Sequence, residues 1–180
     1  MRISAAAISL LILSIAAAPL SAAHHPIVKI KLEGAGLTAP IEITEPGVEY
    51  FNVWAGPGVH VNGMEQTEGF IIDWPKGIVE QPPTGHERYL VSFYSGCRAG
   101  NWECRTPGAS ALVYVAVYDY DPVTEQGLVY LPGRDNELFQ FNRTMWHGHG
   151  FEGNWSRARP EWDSYVAPRI AKAKGLAARR

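Results

Sequence analysis

Beyond residue 23 the chain alternates apolar and polar positions with a period of two almost throughout, the signature of half-buried strands. Residues 26–33 (Pro-Ile-Val-Lys-Ile-Lys-Leu-Glu) alternate before Gly34, and residues 41–45 (Ile-Glu-Ile-Thr-Glu) alternate again before Pro46-Gly47. Residues 48–54 (Val-Glu-Tyr-Phe-Asn-Val-Trp) predict a further strand, ended by Ala55-Gly56-Pro57-Gly58. Short strands are expected at 59–61 and 69–74. The two strongest follow Pro82-Pro83: residues 88–94, with Tyr89, Val91 and Phe93 on one face, and residues 111–118. The latter run is apolar on both faces, as a central strand is. Residues 128–131 and 138–142 complete a set of eight or nine. Punctuated by Gly and Pro, with no helical pattern between them, they predict an all-β fold: an antiparallel β-sandwich or a partly open barrel.

The pattern changes after residue 156. Pro160-Glu-Trp-Asp-Ser-Tyr-Val166 opens like a helix, with Pro at its first position and acids in its first turn. Pro168 should interrupt it, so two helical pieces are expected, 160–166 and 168–174, the second stopped by Gly175. Trp162, Tyr165, Val166, Ile170 and Ala173 form a stripe suited to packing on the sheet.

Residues 1–23 read differently from all of this. Arg2 provides a positive start, residues 8–18 an apolar run, and Ser21 and Ala23 the small residues of a signal-peptidase site. The run is short for a membrane span and no stop-transfer segment follows. A cleaved leader is therefore expected, with the mature protein periplasmic or secreted and without a transmembrane segment. No Cys near the cleavage site marks a lipid anchor. The resulting organisation is a signal peptide at 1–23, a β-domain at 24–156 and a basic helical extension at 157–180.

Charge sharpens that division. Residues 24–156 carry 8 basic and 16 acidic side chains, a net −8, whereas residues 157–180 carry seven basic and two acidic, a net +5. An acidic body argues against nucleic-acid binding, which needs a broad positive surface. The basic end suits a solvated tail, an anionic membrane surface or the protein's own acidic face. Cys97 and Cys104, the only two cysteines, are expected to form a disulfide in an oxidising compartment. So short a loop would gain at most ~2–3 kcal/mol.

Candidate chemistry is sparse. Cleavage after Ala23 would expose His24, whose amine and ring nitrogen can chelate Cu(II). Cleavage after Ala22 would place His25 third, in an Xaa-Xaa-His copper motif. Imidazole nitrogens suit copper, and a second imidazole could come from His147 or His149 in Trp146-His-Gly-His-Gly150. An N-terminal His joined by a distant imidazole is the arrangement called a histidine brace. It resembles secreted copper proteins on β-sandwich scaffolds, a likeness confined to this first residue and the fold class. A second possibility is a glycan platform built from the loop tryptophans Trp102, Trp146, Trp155 and Trp162.

Enzyme signatures are missing. No Gly-x-Ser-x-Gly elbow, Ser-x-x-Lys, His-Glu-x-x-His or P-loop occurs. The residues around Asp119, Asp121 and Glu125 depart from an EF-hand loop. The reading that results is an exported binding or envelope-associated protein, non-catalytic, whose partner is a protein, a glycan or an envelope component. The stretch 47–58 (Gly-Val-Glu-Tyr-Phe-Asn-Val-Trp-Ala-Gly-Pro-Gly) stands out as a signature without a named activity.

Overall fold

The two strongest alternating runs pair with each other. In a computed structural model, which describes residues 26–34, 36–61, 63–66, 68–80, 84–96, 109–142 and 150–175, they form β6 (Glu87–Gly96) and β7 (Ser110–Asp121). Tyr89 stands opposite Tyr118, Val91 opposite Ala116 and Phe93 opposite Tyr114. All six are buried on one face, as the period of two requires.

The other strands extend this pair on both sides. β1 (Ile27–Gly34) lies against β6, with Ile30 opposite Phe93 and Leu32 opposite Val91, and β2 (Ile41–Ile43) follows at the edge. On the far side come β8 (Gln126–Tyr130), β9 (Trp155–Arg157) and β5 (Ile78–Val79). The sheet order is β2-β1-β6-β7-β8-β9-β5, every pair antiparallel. A separate hairpin joins β3 (His60–Val61) to β4 (Met64–Glu65). The all-β class holds, and β7 occupies the centre of the sheet that its doubly apolar sequence demanded.

The C-terminal segment is one helix, not two. α1 runs unbroken over Pro160–Ala173 with Pro168 inside it. Proline removes one backbone donor and crowds the preceding turn, but Ser164 and Pro168 are both exposed. The carbonyl left without its N–H therefore stands on the solvated side. Trp162 and Val166 before the proline, and Ile170 after it, are buried in the same hydrophobic cluster as the sheet. Packing on both sides of Pro168 holds the helix together. Ala173, expected on the buried stripe, is exposed. Among the described residues no helix is long and apolar enough to cross a membrane.

Residues 138–142 are also not a strand. They belong to a 3₁₀ helix, Glu137–Asn142, opened by Leu138 N–H donating to Asn136 Oδ1 at 2.9 Å. The segment nevertheless serves the sheet. β8 pairs with β7 only from Val117 onward, which leaves the Val115 backbone without a strand on that side. The buried Asn142 amide replaces it: Val115 N–H donates to Asn142 Oδ1, and Asn142 Nδ2 donates to the Val115 carbonyl, both at 2.7 Å. Asn142→Ala should therefore strand a buried donor and a buried acceptor and cost about 2–4 kcal/mol. Urea denaturation checks this, and a loss below half a kcal/mol would show that water or neighbouring backbone replaces the amide.

Candidate functional site

Of the sequence-nominated site residues, the structure describes only Trp155 and Trp162. His24, His25, His147, His149, Trp102, Trp146, Cys97 and Cys104 lie outside the described residues. Among those described, no group of three or more His, Cys, Asp or Glu side chains is placed to hold a metal ion. Neither remaining tryptophan sits in a loop. Trp162 is on α1 and 0% exposed, so it offers no stacking face. Trp155 opens β9, half-buried against Tyr130 with ring centroids 5.2 Å apart. The Arg88 guanidinium lies over its ring at 5.4 Å and is itself pinned to the buried Asp119 by two 2.8 Å hydrogen bonds.

The best-formed cleft lies elsewhere, and residues 47–58 make one wall of it. Residues 48–54 were expected to run as a strand, and burial does alternate over 51–55: Phe51, Val53 and Ala55 are buried, Asn52 and Trp54 half-buried. What is absent is a ladder. Gly47, at φ +108°, turns the chain into a short 3₁₀ helix, Val48–Tyr50, and Glu49 accepts the Gly47 N–H at 2.8 Å. Three backbone bonds then tie this wall and the adjoining hairpin segment to the chain around residue 66: Asn52 N–H to the Gly69 carbonyl (2.7 Å), Gly56 N–H to Gln66 (2.5 Å) and Gln66 N–H to Val59 (2.7 Å). Gly69 is required here. Its φ is +105°, and a Cβ would lie 3.2 Å from the Tyr50 carbonyl oxygen.

Residues 69–74, also expected as a strand, make a single bridge, Ile72 to Ala158. Asp73 N–H donates to the Arg157 carbonyl and Arg159 N–H to the Ile71 carbonyl, both at 2.9 Å. These bonds carry the wall straight to the N-terminus of α1.

Between these segments the cleft has two lobes. The larger, about 550 Å³, is lined by Tyr50, Phe51, Phe70 and Tyr165. The smaller, about 360 Å³, is lined by Ile72, Asp73, Trp74 and two prolines. Glu68, Arg159 and Glu161 line both and form the waist between them. The aromatic floor is continuous with the core. Phe51 packs edge-on to Trp162 at 5.0 Å and beside Tyr165 at 4.9 Å, while Phe70 meets Phe93 at 5.8 Å and stacks near Trp74 at 6.1 Å. The rim is exposed, Tyr50 at 74%.

The charges of the cleft are mostly engaged. Asp73 pairs with Lys76 at 2.7 Å and Arg159 with Glu161 at 3.3 Å. Glu161 accepts its own backbone N–H in the first turn of α1. That bond, with the Arg159 guanidinium, holds its carboxyl below the usual carboxylate range. Glu68 makes no ion pair among the described residues and is exposed.

A second cleft of about 410 Å³ is polar and has the buried Asp163 in its lining, with Lys76, Arg157 and Ser164 nearby. Asp163 is already used structurally. Tyr118 donates its hydroxyl to Oδ1 at 2.7 Å, and Gly127 N–H donates to Oδ2 at 3.2 Å. Burial raises its carboxyl above the usual carboxylate range, an effect the two hydrogen bonds only partly oppose. A carboxyl whose folded pKa exceeds its unfolded one adds stability that is complete below the unfolded value, about 4. That contribution is lost as the pH rises through the folded value. The stability of the native chain minus that of Asp163→Asn should therefore fall between about pH 4 and neutrality. Urea midpoints across that range test it, and a difference that grows with pH contradicts the assignment.

The molecule is thus an all-β chain with an aromatic, acid-rimmed cleft beside its C-terminal helix. A scan against protein-family models and searches of curated proteins and of solved structures found no match to this chain. Sequence reasoning missed Glu68, Trp74 and Arg159 as cleft residues. The one usable signal was the 47–58 stretch, which supplies Tyr50 and Phe51.

Proposed function

We propose that this is an exported, non-catalytic binding protein that takes its ligand in the two-lobed cleft. The carrying observation is the construction of the cleft. Its walls are tied by backbone hydrogen bonds, its floor rings are packed into the core, and a few charged groups meet at its waist. Small-ligand and side-chain pockets are built this way, concave and mostly apolar with a few placed polar groups. Export is supported by the leader-like residues 1–23. The lack of a known catalytic motif and the ion-paired state of Asp73 and Glu161 favour recognition over proton transfer.

Nuclear magnetic resonance of the ¹⁵N-labelled protein with indole, phenol and benzamidine as probes tests the reading. Backbone signals of residues 47–51, 68–70 and 159–165 should shift together. Tyr50→Ala should abolish those shifts at unchanged thermal stability, because Tyr50 is largely exposed. Shifts confined to other surfaces, or none at millimolar probe, would sink it.

A further inference from the structure

We infer that the occupant of the cleft is a peptide segment of a partner protein that presents an apolar or aromatic side chain beside a lysine or arginine. The inference rests on the binding role proposed above and adds the ligand's chemistry to it.

Charge carries the argument. Three carboxylates, Glu68, Asp73 and Glu161, line the cleft with Arg159, and Lys76 stands against Asp73 at 2.7 Å, which leaves an excess of one negative charge. Arg159 is spent on Glu161. Glu68 is the exception: exposed, without an ion pair among the described residues, and lining both lobes. A cation arriving at the waist meets that free carboxylate, and the smaller lobe offers it the indole of Trp74, the best ring for a cation–π contact. An anion arriving there meets uncompensated negative charge.

The larger lobe asks for the other half of the ligand. Its floor of Phe51 and Phe70, with Tyr50 at the rim, has room for one aliphatic or aromatic side chain. Two adjoining lobes of opposite preference match two side chains of a single extended segment better than one small amine. The chain beyond residue 23 has the same sign, a net −3 made of −8 in residues 24–156 and +5 in residues 157–180. Such a charge speeds encounter with basic partners and makes it sensitive to salt.

Three acetylated, amidated hexapeptides serve as probes: Gly-Phe-Arg-Phe-Lys-Gly, its acidic counterpart Gly-Phe-Glu-Phe-Glu-Gly, and its neutral counterpart Gly-Phe-Gln-Phe-Gln-Gly. Each is titrated into the ¹⁵N-labelled full mature chain. The basic peptide should shift the cleft signals and bind at least tenfold more tightly than the acidic one, with an affinity that weakens as salt rises. Glu68→Gln should weaken it about fivefold, and Glu137→Gln, an exposed carboxylate on another segment, should leave it unchanged. Equal binding of all three peptides at the cleft would overturn the cationic preference while leaving the binding site intact. No cleft shift with any peptide or with the aromatic probes would remove both. Concentration-dependent self-association abolished by Glu68→Gln would make a second copy of this chain the occupant and overturn the choice of a foreign partner.

Discussion

Replacing Trp162 with alanine is expected to lower the stability of the chain by about 3–5 kcal/mol. Trp162 is among the largest fully buried side chains, and rings from three other segments converge on it. It packs edge-on to Phe51 at 5.0 Å and to Tyr118 at 5.8 Å, and tilts against Phe93 at 6.3 Å. Truncation removes both the buried apolar area and the edge-to-face contacts, and leaves a cavity too well walled to collapse. The whole stability of a small domain is only about 5–15 kcal/mol, so this one change removes a large share. Urea unfolding followed by far-ultraviolet circular dichroism measures it. Trp162→Phe, which keeps a ring, should lose clearly less. A loss below about 1 kcal/mol for the alanine variant would mean that α1 is not docked as described. Because Phe51 also floors the cleft, the alanine variant should weaken probe binding too, even where it remains folded.

Gly127→Ala should cost about 3 kcal/mol or more, for a different reason. Gly127 carries no left-handed backbone requirement in this structure. Its constraint is steric: a Cβ there would lie 2.1 Å from Tyr118 Cε2 and 2.7 Å from its hydroxyl oxygen. The Tyr118 ring cannot swing away. It is fully buried, stacked near Tyr120 at 5.9 Å and tethered to Asp163 by a 2.7 Å hydrogen bond. Glycine thus lets a tyrosine lie flat across the β8 backbone and reach the helix. The specific check is a double-mutant cycle. Tyr118→Leu removes the crowded ring atoms, so Gly127→Ala in that background should cost less than 1 kcal/mol. An equal cost in both backgrounds would assign the effect to the β8 backbone instead of the ring.

These two residues also show where local pattern and tertiary structure part company. Trp162 was legible as a core residue because its neighbours at helical spacing, Val166 and Ile170, are apolar too. Gly127 carried no signal, since nothing local to it announces a tyrosine ring from another strand. Residues 138–142 failed as a strand for a related reason. Their apolar positions serve a 3₁₀ turn, and only the position of Val115 decides that Asn142 is its hydrogen-bonding partner.

The candidate site was less legible still. Its residues come from three separated stretches, 47–51, 68–75 and 159–165, so no spacing along the chain could join them. Residues 47–58 were visible as unusual and 48–54 read as a strand, and over 51–55 burial does alternate as it would in one. Alternation reports which side chains are buried and says nothing about whether a neighbouring backbone accepts the hydrogen bonds.

Sequence alone determined the all-β class, the pairing-competent faces of β1, β6 and β7, the central place of β7 and the apolar stripe of α1. Each follows from periodicity, because a strand or helix buries one face whatever its partner is. Tertiary structure alone decided that α1 continues through Pro168, that residues 48–54 form a wall instead of a strand, and that Glu68 stands between two lobes with no ion pair among the described residues. Those outcomes depend on which groups from distant segments arrive to pack, to donate or to neutralise, and that information is not carried by any local run of residues.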